Sequence, residues 1–201
     1  MAGRDPLLIV TQTDLGVPEE VEAELTASGF AGPLLDHWWF APLRLARARL
    51  RIAQGRVADA IPELRELLAR WGPTRPAAEP IASTLALALH SIDGDPDEIA
   101  ALVKAEIRAA EEWGTPRGIG LALRAKGLIE GGEVGVEALR ESTEVLRNSP
   151  ARLELARSLT ELGSALRRAN SRAEAREPLR EALELAHRCG APPLAERAEE
   201  E

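Results

Sequence analysis

The residues of this 201-residue chain that could support metal or nucleophilic chemistry are three histidines, one cysteine and one acidic run. His37, His90 and His187 are widely separated, and the only close pair, His187 and Cys189, has a two-residue spacing unsuited to a zinc site. Cys189 also falls where a helix is expected to end, the wrong pole of the dipole for an activated thiolate, so it is expected as a small buried side chain. Asp93-Gly-Asp95-Pro-Asp97-Glu98 spaces oxygens like a calcium loop. An EF-hand would need glycine at 98 and a bidentate glutamate at 104, where this chain has Glu98 and Lys104. Capping explains the run better, with Asp95 as N-cap, Pro96 at the first helical position and Glu98 at the third. Gly118-Ile-Gly120 lacks the third glycine of a dinucleotide loop, and neither G-x-S-x-G nor G-x-x-x-x-G-K occurs. No catalytic residue, metal or cofactor is assigned, and the chain is not expected to be an enzyme.

Charge narrows the partners. The net charge is −8, and residues 1 to 40 set Arg4 against Asp5, Asp14, Glu19, Glu20, Glu22, Glu24 and Asp36. Such a surface repels phosphate backbones, so direct nucleic-acid binding is not expected. Arg44, Arg47, Arg49 and Arg51 alternate as on a solvated helical face. Trp38 and Trp39 form the only aromatic cluster, and adjacent helical residues point about 100° apart, so one could line a groove. Packing of both at the start of the helical array is the expectation, and Trp71 and Trp113 are expected as packing residues at helix ends.

The elements that must position these side chains are helices. Between Ser149 and Cys189, Leu153, Leu155, Leu159, Leu162 and Leu166 recur on one helical face, and Ala175, Leu179, Ala182, Leu183 and Leu185 do so again after a break at Asn170-Ser171. Ser149-Pro150 predicts the first start, Ser171 with Glu174 predicts a capping box for the second, and Gly190 predicts its end. Leu162-Gly163 and Ala175 sit at the spacing of a tetratricopeptide unit, where small residues let paired helices approach. Breaks recur at Gln54-Gly55, Asp93-Gly94, Gly131-Gly132 and Asn170-Ser171, steps of 39, 38 and 39 residues (54 to 93, 93 to 131, 131 to 170). Trp71-Gly72, Trp113-Gly114, Asn148-Ser149 and Cys189-Gly190 interleave with them. Four helical hairpins follow, about 41–71, 77–113, 116–147 and 150–189, inside a repeat domain of residues 16–201 preceded by an irregular segment or artificial boundary at 1–15. The fold class expected is all-α, a tetratricopeptide-like α-α solenoid with flanking helices and irregular loops.

Composition agrees. Hydrophobic residues make up 45% and charged residues 29%, with no Tyr and two Phe. Every basic residue except Lys104 and Lys126 is arginine, a bias of GC-rich coding. One cysteine suits a reducing, cytoplasmic setting, and the apolar stretch at residues 7–11 is too short for a signal peptide or a membrane span.

Trp113-Gly114, Glu130-Gly-Gly-Glu133, Ser149-Pro-Ala-Arg-Leu-Glu-Leu-Ala-Arg157, Leu166-Arg-Arg168, Ala173-Glu-Ala-Arg-Glu-Pro-Leu179 and Leu185-Ala-His-Arg-Cys-Gly190 closely resemble the helical region of large actinobacterial ATP-binding regulators of the LuxR family, which are MalT-like in architecture. Gly32-Pro-Leu-Leu-Asp-His-Trp-Trp-Phe-Ala-Pro42 and Leu50-Arg-Ile-Ala-Gln-Gly55 resemble the same region further upstream, so the likeness spans about residues 20 to 200. The resemblance implies a helical array set between an ATPase and a DNA-reading helix-turn-helix, sensing an effector or partner and relaying that state. The ATPase signature and the helix-turn-helix are not found in this chain, so neither activity is carried over.

A binding and sensing module is therefore expected, taking a protein or small-molecule effector. In tetratricopeptide geometry the first helix of each hairpin lines the inner surface. Polar first-helix positions Arg49, His90, Arg124, Arg157 and Arg167, with Trp38 and Trp39, are the candidate contacts, and an arginine array there favours an acidic ligand. The rival is a stand-alone scaffold whose array ends self-associate.

Overall fold

The computed structural model describes residues 9, 12–13, 18–34, 37–72 and 80–201. The segment expected to be irregular, 1–15, and the start of the second hairpin at 77–79 lie almost wholly outside the described residues. The helices are α1 (Pro18–Ala27), a 3-10 turn (Trp38–Phe40), α2 (Ala41–Ala53), α3 (Val57–Trp71), α4 (Ile81–His90), α5 (Pro96–Trp113), α6 (Pro116–Glu130), α7 (Gly132–Arg147), α8 (Arg152–Arg168), α9 (Arg172–Cys189) and α10 (Pro192–Glu200). No strand occurs among the described residues, and the fold is all-α.

Short turns join the two helices of each of the pairs α2/α3, α4/α5, α6/α7 and α8/α9, which pack against each other. Each first helix also touches the next first helix: α2 meets α4, α4 meets α6, α6 meets α8 and α8 meets α10. Neighbour-only packing of this kind is an α-α solenoid. A large aliphatic cluster under α2 to α5 includes Leu45, Leu64, Leu67, Leu85 and Ile99, with Ile107 and Ile129 half-buried at its edge.

Local chemistry explains the turns. Asp95 caps α5 by accepting the Asp97 N–H at 2.9 Å, with Pro96 behind it, as the sequence predicts. Gly190 ends α9 at φ 64°, a left-handed conformation that costs glycine little. Inside α8, a Cβ on Gly163 would lie 2.4 Å from Leu179 Cγ of α9, so the missing side chain sets how closely the two helices pack. Gly127 of α6 does the same against Leu139 of α7.

Several local expectations are corrected. α8 begins at Arg152, not at Pro150, because Ser149 is buried and its N–H donates to Leu146 O, finishing α7. Ser171 is the N-cap of α9 but makes no side-chain cap bond, and Glu174 instead accepts from Arg140 of α7 at 2.6 Å. Cys189 is exposed rather than buried. Trp71 packs on the main core, whereas Trp113 is 51% exposed.

Candidate functional site

The arginines of α2 do not form the solvated face expected of them. Arg44, Arg47 and Arg51 recur at i, i+3 and i+7, one stripe of the helix, and α3 presents Glu63 to that stripe. Glu63 Oε2 accepts from Arg51 Nη1 at 2.6 Å and from Arg47 Nε at 3.2 Å, and its Oε1 accepts from Arg44 Nε at 3.3 Å and from Arg47 Nη2. Arg44, Arg47 and Glu63 are all buried. Arg47 also donates to Phe30 O at 2.8 Å and Gly32 O at 2.6 Å, tying the segment after α1 to the array.

A second buried acid joins α6 to α8. Glu154 Oε2 accepts from Arg124 Nη2 at 2.7 Å and its Oε1 from Arg157 Nη1 at 3.0 Å, with Arg117 at 3.6 Å. Burial would push this carboxyl up, but Arg124, then Arg157 and Arg117, outweigh it and hold it down to about 2. Beside them, Ser142 donates to Gly120 O at 2.7 Å and pairs with Ser158 at 2.9 Å.

Glu106 on α5 behaves differently. α4 starts after Pro80, which offers no side-chain acceptor, so its first N–H groups need another partner. Glu106 supplies it from the neighbouring helix, accepting the Ser83 N–H at 2.9 Å while fully buried. Burial raises its carboxyl to about 7, against the lowering effect of the Ser83 and Ala82 N–H groups and of Arg49.

The candidate side chains do not converge on one surface. Arg124 and Arg157 meet at Glu154, whose carboxylate accepts from both. Arg49 is half-buried on α2, and its charge acts on Glu106. Arg167 is exposed at the end of α8, donating to Glu200 O at 3.4 Å. Trp38 and Trp39 are 50% and 68% exposed, with ring centroids 5.1 Å apart in an edge-on pair, instead of packing at the start of the array.

His90 is the one candidate that reaches an open cavity. A groove of about 630 Å³ lies between α5 and the last turn of α6, with Ile99, Val103, Ile107 and Ile129 as its floor and Lys104 and Lys126 beside them. Sequence reasoning noted these lysines only as exceptions to an arginine bias. The overlooked signal is their placement about the turn: α5 and α6 join at Gly114-Thr115, and 104 and 126 lie 10 residues before Gly114 and 11 after Thr115.

Among the described residues, no group of three or more His, Cys, Asp or Glu side chains could hold a metal ion, and no helix is long and apolar enough to cross a membrane. The site and fold together are those of a helical-repeat array with an open aliphatic groove. No family model and no curated protein matches the chain.

Proposed function

We propose that this chain is a non-catalytic helical-repeat sensing or protein-interaction module of a LuxR-type, ATP-dependent transcriptional regulator. The observation that carries the reading is the stacking of first helix on first helix from α2 to α10 beside an open aliphatic groove. Such arrays act by presenting a surface rather than by making bonds. The polar side chains that might have formed a reactive centre are committed to Glu63 and Glu154, which supports a binding role. The motifs resembling the LuxR-type helical region support the choice of regulator. In such a protein ATP hydrolysis and DNA reading fall to other segments, and the array works in the cytoplasm with an effector as its partner. Sequencing the reading frame on both sides of this segment tests the assignment. A P-loop ATPase upstream and a helix-turn-helix downstream are expected; a frame with neither refutes the regulator reading.

Exposed Trp38 and Trp39 favour a second reading, a scaffold that self-associates through this edge. Light scattering over a concentration series would then show a dimer that Trp39→Ala dissociates, and a concentration-independent monomer removes it.

A further inference from the structure

The groove between α5 and α6 combines three properties. Its floor is aliphatic, its volume of about 630 Å³ falls within the roughly 300–1,000 Å³ of small-molecule sites, and the imidazole of His90 is the one ring on its lining. A planar base would find no Phe, Tyr or Trp there to stack on. A single flexible alkyl chain can lie along such a floor.

Charge selects its head group. Lys104 of α5 and Lys126 of α6 both line the groove, and neither makes a hydrogen bond or ion pair with another described residue. Arg108 is engaged with Glu112 at 2.9 Å. Glu111 lies two turns beyond Lys104 on α5 and Glu130 one turn beyond Lys126 on α6, toward opposite ends of the groove. An anion is thus attracted to the middle and repelled from both ends. From Lys104 back to Pro96 the groove wall runs about 12 Å, past Val103, Ile99 and Ile129, a track for an alkyl tail.

We propose that this groove binds one medium-chain aliphatic carboxylate, its head between Lys104 and Lys126 and its tail over Ile99, Val103 and Ile129. The proposal rests on the reading of the array as a sensing module and names the effector class that the sensor takes. No covalent step is involved.

Isothermal titration of the full chain with octanoate, decanoate and dodecanoate, each below its micellar concentration, tests it. One-to-one binding is expected to tighten about tenfold for every two methylenes. Decanol and decyltrimethylammonium, which share the tail and change the head, separate the lysine clamp from simple greasiness; both should bind at least tenfold more weakly than decanoate. Lys104→Gln and Lys126→Gln should each weaken decanoate about tenfold and leave decanol unchanged. Ala100 is exposed at the groove, so Ala100→Trp fills it with little cost to folding and should abolish binding of every tail, with circular dichroism checking the fold. No saturable binding, equal binding of the cationic amphiphile, indifference to both lysine changes, or wild-type binding by Ala100→Trp each overturns the proposal. Decanoate binding in a frame without an ATPase refutes the regulator reading alone, while absence of binding in a frame that has one refutes the ligand class alone.

Discussion

Replacing Glu106 with glutamine should remove a pH dependence that this one carboxyl imposes on the whole array. Glu106 is fully buried on α5 and caps α4 through the Ser83 N–H, and its carboxyl is raised from 4.5 to about 7. Raised, it binds its proton more tightly folded than unfolded. Its favourable contribution is therefore complete below about pH 4.5, falls as pH rises through 7, and is gone above about pH 8. A shift of about 2.5 units at 1.36 kcal/mol each corresponds to about 3 kcal/mol, a large share of the roughly 5–15 kcal/mol that holds a domain together. Glutamine keeps the shape and an acceptor for Ser83 but does not titrate. Urea unfolding of the two proteins from pH 4.5 to 8.5 should show the difference in stability moving by about 3 kcal/mol toward the variant as pH rises. Other titrating groups are common to both proteins and cancel in the difference. Parallel profiles, separated by a constant offset across the window, would refute the capping and burial assigned to Glu106.

Glu154→Gln leaves Arg124, Arg157 and Arg117 facing a neutral group and should cost about 3–5 kcal/mol at pH 7 in urea unfolding. Because Glu154 is held near 2, its wild-type contribution is present above about pH 4.5 and is lost as pH falls toward 2, so the variant's acid limb should be shallower, and an unchanged limb counts against the cluster. Arg47→Met should expose the segment around Phe30–Gly32 to hydrogen exchange and proteolysis before the rest of the array, since two of its N–H groups hold those carbonyls; unaltered protection there would contradict the tie. Gly163→Ala should destabilise by about 1–3 kcal/mol through the clash with Leu179, yet stabilise by up to about 1 kcal/mol in a Leu179→Ala background. Thermal melts of the four proteins measure that reversal, and a cost indifferent to residue 179 disproves the close approach.

The parts of the fold legible in the sequence are those set by local chemistry. Gln54-Gly55, Asp93-Gly94 and Asn170-Ser171 fall between helices and Gly131-Gly132 spans the start of α7, because left-handed or half-extended backbone is confined to residues that tolerate it. Asp95-Pro96 was readable as a cap, since its acceptor and the N–H it serves are two residues apart, and Gly163 was readable as a small residue at the spacing of a repeat unit. What the sequence hid depends on partners many residues away. Arg44 and Arg47 look solvated until α3 brings Glu63 against them, 19 and 16 residues later. Glu106 serves α4 from 23 residues downstream, and no capping motif announces an acceptor supplied by another helix. Ser171-x-x-Glu174 failed in the opposite direction: a local motif was outcompeted by Arg140 on the adjacent repeat.

The division of labour between arginine and lysine bears on where a ligand can sit. A planar guanidinium donates to two carboxylate oxygens at once, which suits it to the desolvated pairs at Glu63 and Glu154, and a lysine there would leave acceptor positions empty. A lysine ammonium is a compact, strongly hydrated charge on a flexible stem, so leaving it unpaired at a groove edge costs little. Exposed ion pairs Arg65–Glu98, Arg140–Glu174 and Arg147–Glu181 link successive second helices from α3 to α5 and from α7 to α9. Among the described residues no ion pair joins α5 to α7, the step of the array beside which the groove opens. An anionic ligand drawn to Lys104 and Lys126 would add charge pairing at that step without displacing an existing pair, whereas at Arg124 or Arg157 it would have to compete with a buried carboxylate already held by three guanidiniums. That difference in competition, more than the number of arginines, is why the proposal sets the anion on the α5 and α6 side of the array.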